Sequence, residues 1–170
     1  MVKRASLIAL LAWTVQAGAT DFEAMARCST GDVKALKIFD VGQASLYRQD
    51  CAVDDPLAPP LRLAFGYNRE VPGDAFAKAA RKMIERNVDE ARFQALLPRL
   101  EAFNQHYRTT RDGDRYTLDY DTDGSLVLRL NGEPLAREKG RDFAQAYFTI
   151  WFGDRPYSDD LKDALLNTGG

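Results

Sequence analysis

The 170-residue chain has one histidine, His106, and two cysteines, Cys28 and Cys51, so any chemistry that needs an imidazole or a thiolate must use these three. A Ser-His-Asp relay would have to recruit His106. That residue closes a helical run beside Tyr107 and Arg108, which suits a surface side chain or a contact with the helix C-terminus. A metal site built on one histidine and scattered carboxylates is short of ligands. Asp119, Asp121 and Asp123 alternate as in a calcium loop, but the rest of that spacing is missing and the run ends in Asp121-Thr122-Asp123-Gly124, a hairpin turn. The sequence contains no phosphate-binding loop, dinucleotide fingerprint, CxxC pair, HExxH or GxSxG element. Tyr147, Phe148 and Trp151 share a helical face that either lines a ligand cavity or fills the core, and core packing is the expected use.

The elements that must position these residues alternate in type. Phe22 to Cys28 reads as a first short strand and Ser29-Thr30-Gly31-Asp32 as a turn. A long strand is expected from Ala35 to Tyr47, with Gly42 as a bulge, and then a surface loop over 54–60, where Pro56, Pro59 and Pro60 prevent pairing. Leu61 to Tyr67 resumes as a strand. From Gly73 the apolar period becomes helical through Phe76, Ala79, Ala80, Met83 and Ile84. Asp89 opens a second helix that carries Pro98, a position that would kink it. Arg115–Tyr120 and Ser125–Leu130 form a hairpin, and Asn131-Gly132 turns into Glu133–Ala136. Gly140–Phe152 is a helix ended by Gly153, and Ser158-Asp159-Asp160 caps a last helix through Leu166. Strands, helices, a hairpin and helices again spell an α+β domain.

Charge and the N-terminus bound the setting. The chain holds 23 Lys and Arg against 25 Asp and Glu, interspersed, so it has no basic stripe and nucleic acid is not an expected partner. Lys3 and Arg4, the apolar run Ala5–Val15 and Ala17-Gly18-Ala19 read as a cleavable export signal over residues 1–19, with one domain over 20–170 beginning at Thr20. The apolar run is shorter than the roughly twenty residues a membrane span needs, so no stable membrane insertion is expected once the signal is cut, and the product is periplasmic or secreted. In such a compartment Cys28 and Cys51 are expected to pair, with two free thiols as the alternative. A straight strand over 35–47 would separate them by about 43 Å at 3.3 Å per residue, so pairing demands a sharp bend, placed at Asp40-Val41-Gly42.

Two stretches carry a resemblance. Ala144-Gln145-Ala146-Tyr147-Phe148-Thr149-Ile150-Trp151-Phe152-Gly153-Asp154-Arg155-Pro156-Tyr157-Ser158 resembles the C-terminal motif of the chalcone isomerase-like family, and Lys37-Ile38-Phe39-Asp40-Val41-Gly42 resembles its strand motif. The resemblance implies an antiparallel sheet with helices packed over one face and a cleft between them. The family includes plant enzymes that close chalcones to flavanones, fatty-acid-binding relatives and exported bacterial proteins, and the chain looks most like the last group. Carried over position by position, the family arginine falls on Arg27 and the active-site threonine, a tyrosine in the fatty-acid binders, on Phe39. The catalytic tyrosine falls on Phe76, the helix asparagine on Met83, and the threonine before the C-terminal glycine on Ile150.

Cyclising a chalcone requires placed donors for developing enolate charge, and losing one costs about 2.7–4 kcal/mol. With apolar residues at four of these positions, the resemblance implies an exported, non-catalytic protein that binds a fatty acid or similar amphiphilic carboxylate. The alternative is a structural or protein-interaction domain with a filled cleft, and a residual lyase or isomerase ranks third. No cofactor is implied; a haem would find only His106, a tyrosine or a methionine as ligand. If the alignment holds, Phe39, Phe76, Met83 and Ile150 converge on one buried cluster with Arg27 at its edge.

Overall fold

The computed structural model describes residues 24–35 and 38–167. The expected signal, residues 1–19, lies outside the described residues. Six strands, β1 (Ala26–Ala35), β2 (Phe39–Arg48), β3 (Leu61–Tyr67), β4 (Arg115–Tyr120), β5 (Leu126–Leu130) and β6 (Glu133–Glu138), form one antiparallel sheet in chain order. Helices α1 (Gly73–Glu85) and α2 (Glu90–Asn104) follow β3, and α3 (Arg141–Phe152) and α4 (Asp159–Leu166) follow β6.

Side chains alternate across a strand, so register decides which row enters the core. Leu46 pairs with Leu63, Leu63 with Leu118 and Leu118 with Leu128, and all four are almost wholly buried. Fully burying one such side chain contributes about 1.5–3 kcal/mol. The helices cover this row: Phe148 of α3 stacks obliquely on Tyr120 at 6.0 Å between ring centroids, and Trp151 lies 5.2 Å from Phe65. The opposite face is polar. There Asp119, 1% exposed, accepts from Arg62 Nε at 2.6 Å and from Arg129 Nε at 3.0 Å, while the Arg115 guanidinium lies 5.6 Å over the Tyr47 ring. The Asp-rich run therefore serves the sheet: Asp119 is held by arginines and Asp121–Gly124 makes the β4–β5 turn.

Three expectations about the first strands are corrected. Ser29-Thr30-Gly31-Asp32 is interior to β1 and makes no turn, because Gly31 leaves room for α4: a Cβ there would lie 2.8 Å from Leu161 Cδ1 and 2.9 Å from Ala164 Cβ. The first strand extends to Ala35, and the chain reverses between Ala35 and Phe39, where Ile38 N donates to Ala35 O; it does not run straight from 35 to 47. The reversal was expected at Asp40–Gly42. Gly42 instead sits in β2, beside a register shift between Val33 and Lys34.

Hairpin reversal removes the geometric objection to a disulfide. Cys28 and Cys51 are bonded, with Cα atoms 5.2 Å apart, tying β1 to the loop between β2 and β3. Arg48, 4% exposed, organises the same loop by donating to Asp55 O at 3.1 Å and to Pro56 O. As expected, Asp89 caps α2 and Ser158 caps α4, each side chain accepting a first-turn backbone N–H. Pro98 is accommodated inside α2, which runs on to Asn104.

Candidate functional site

A cavity of about 380 Å³ lies between the sheet and the helices. Its floor is Phe65, Leu118 and Leu128; α1 contributes Ala75, Phe76, Ala79 and Ala80; α3 contributes Ile150 and Trp151. The β1–β2 hairpin closes one side with Val33, Ala35 and Val41. The void follows from side-chain size. Ala79 and Ala80 line the void and the exposed Ala75 borders its mouth, and alanine at the first two leaves unfilled the volume that a Leu or Phe would take.

Polarity enters through four tyrosines, Tyr67, Tyr107, Tyr116 and Tyr157. Three of their hydroxyls are committed. Tyr147 OH donates to Asn104 Oδ1 at 2.9 Å, so its contact with Tyr107 OH, also 2.9 Å, must be donated by Tyr107. Tyr116 OH donates to Arg108 O at 2.9 Å and accepts from Arg108 N, and Tyr157 OH donates to Lys34 O at 2.9 Å. The Tyr67 hydroxyl has no partner among the described residues, nor has the Trp151 indole N–H. Tyr67 is fixed by its ring, edge-on to Phe76 at 5.4 Å and to Tyr116 at 6.1 Å. Burial, reinforced by repulsion from Tyr107, Tyr116 and Tyr157, holds its phenol well above the usual 10.0, so it is a protonated donor at neutral pH.

The five residues singled out from the sequence separate. Phe76 and Ile150 both line the cavity, one on α1 and one on α3. Met83 is buried in the core but does not line the cavity. Phe39 is not in the cluster: it is 50% exposed, because the hairpin reversal carries it to the tip of the sheet. Arg27 is not at the cavity edge either. It is exposed opposite Tyr47 near the start of β1, six residues or about 20 Å of strand before Val33, and the expectation failed because the turn assumed at 29–32 does not exist. Of the aromatic trio, Tyr147 and Phe148 fill core while Trp151 forms cavity wall. His106 is exposed just past α2.

Sequence reasoning missed the tyrosines, although strand alternation could have found two of them. Phe65 and Tyr67 share a face of β3, as do Tyr116 and Leu118 on β4, so a core-facing Phe65 or Leu118 carries its tyrosine inward with it. A second, polar groove of about 630 Å³ lies outside, walled by Arg86, Asp154, Arg155 and Asp159. Its guanidiniums are spent on backbone: Arg86 Nε donates to Arg155 O at 2.7 Å, and Arg155 donates back to Arg86 O. Among the described residues no cluster of His, Cys, Asp and Glu could hold a metal ion, and no helix is long and apolar enough to cross a membrane.

Comparison with known proteins places this geometry. A family model described as chalcone isomerase-like matches residues 31–167. No curated protein matches the sequence. Among solved structures, a fatty-acid binding protein of Arabidopsis thaliana superposes with a TM-score of 0.57 at 12% identity, covering 85% of this chain and 88% of that one.

Proposed function

The chain belongs to the chalcone isomerase-like family, and from that premise we propose that it is an exported, non-catalytic carrier that holds the apolar body of a fatty-acyl amphiphile between sheet and helices. The carrying observation is the alanine-lined cavity of about 380 Å³, within the range of small-ligand sites and far larger than the voids of a packed core. Fatty acid is what the Arabidopsis thaliana relative of this fold binds. The non-catalytic reading rests on the apolar residues at the positions aligned with the family's polar ones: Phe76 and Ile150 line the cavity and offer no hydrogen bond to a developing oxyanion. Export rests on the N-terminal signal pattern and fits the Cys28–Cys51 bond, since disulfides persist in oxidising compartments.

Native mass spectrometry of the gently purified protein tests the carrier reading. The expected result is a mass excess of one amphiphile that survives desalting and is absent from Ala79→Leu, whose added side chain fills the cavity. If the wild type carries no excess and takes up none when incubated with a mixture of long-chain acids, alcohols and esters, the reading fails. N-terminal sequencing of the exported protein should start at Thr20.

A further inference from the structure

Resting on that carrier reading, we propose that the cavity takes the ligand's polar end as an uncharged hydrogen-bond acceptor, an ester, aldehyde or amide carbonyl, on the Tyr67 hydroxyl, and not as a carboxylate. None of the described residues lining the cavity is charged. A carboxylate buried there would lose its hydration without gaining a cation, a cost of several kcal/mol, whereas a carbonyl needs only one donor. The donors are selective. Tyr107, Tyr116 and Tyr157 have given their protons to Tyr147, Arg108 O and Lys34 O, which leaves the Tyr67 O–H, with the Trp151 N–H as a second. Both stand on wall already shaped by aromatic contacts, Tyr67 against Phe76 and Trp151 against Phe65, so a carbonyl would meet donors that need no reordering.

Among the described residues, the cations nearest in sequence to the hairpin wall belong to other surfaces. Arg27 is exposed near the start of β1, and Lys34 lines the outer groove, separated from the cavity by Tyr157, which borders both. A carboxylate head could therefore find Lys34 only by leaving the cavity.

The test is displacement of the neutral probe N-phenyl-1-naphthylamine from the full chain at pH 8 by methyl dodecanoate and by dodecanoate. The ester should compete at least about tenfold better, and Tyr67→Phe should weaken the ester about three- to tenfold relative to the probe, whose own affinity is measured in the same variant, the size of one neutral hydrogen bond. Dodecanoate binding as tightly as the ester, or more tightly and lost in Lys34→Gln, overturns the assignment while the carrier reading stands. An ester affinity indifferent to Tyr67→Phe also overturns it. If neither competitor displaces the probe, the carrier reading falls and takes this one with it.

Discussion

Gly42 sits on β2 with a φ of +147°, and a Cβ built on it would lie 1.9 Å from Gly66 O on the neighbouring strand. No rotamer relieves a collision with backbone, so the β2–β3 pairing itself would have to open. Gly42→Ala should cost several kcal/mol, on the order of the larger single-substitution effects, while Gly66→Ala, whose added methyl meets nothing within 4 Å, should stay within about 1 kcal/mol. Urea titration of the two variants checks the contrast, and comparable losses would refute it. The need for a special residue at 42 was legible as a bulge, though the bend was placed there and not at Ala35–Phe39. Phe76 and Ile150 were legible as cavity residues through the family resemblance, which carried two site positions onto them. Tyr67 was not. Its freedom to donate emerges only when the partners of Tyr107, Tyr116 and Tyr157 are known, and the Tyr107–Tyr147 contact joins residues forty positions apart.

Between elements, the closest fit is α4 on β1, where Ser29 Oγ donates to Leu165 O at 2.6 Å and the missing Gly31 side chain admits Leu161. Ser-Thr-Gly-Asp has the composition of a turn, and nothing local reveals that its glycine serves a helix some 130 positions later; hence the misreading of 29–32. Next to Ser29, the start of β1 is also held by Cys28–Cys51, whose sequence separation is 23. Closing a loop of that length removes about 3 kcal/mol of unfolded-chain entropy, so Cys28→Ser with Cys51→Ser should lose about that much stability by guanidinium unfolding. An unchanged midpoint in the double variant would show that the bond contributes nothing. The helices themselves were legible nearly to the residue, because Asp89 and Ser158 are capping types placed just before an apolar period.

For the whole molecule, the buried phenols set a ceiling on pH. Burial raises Tyr67, Tyr107 and Tyr147 above the usual 10.0, with repulsion from neighbouring phenols adding to it and, at Tyr107, the hydrogen bond to Tyr147 working against it, so the folded state keeps protons that the unfolded chain gives up. Their contribution is complete below pH 10 and falls as pH rises past it, by up to about 1.4 kcal/mol per pH unit for each phenol. Stability by urea titration should therefore fall steeply between pH 10 and 12, with the rise in phenolate absorbance of these tyrosines coinciding with unfolding; a flat profile would contradict their burial. The overall α+β class was legible from the alternation of periods, and the family fold from two motifs, whereas the cavity depends on alanines whose neighbours only the assembled sheet supplies. The strand order also governs how the chain reaches this state. β1, β2 and β3 meet their neighbours through short connections, as do β4, β5 and β6, so each triplet can zip locally and fast. Only the β3–β4 seam must wait for the chain over 68–114 to close, α1 and α2 included, and that closure pays its entropy before any pairing repays it. The seam is thus the pairing expected to form last, and Leu63→Ala at its centre should speed unfolding more than it slows folding.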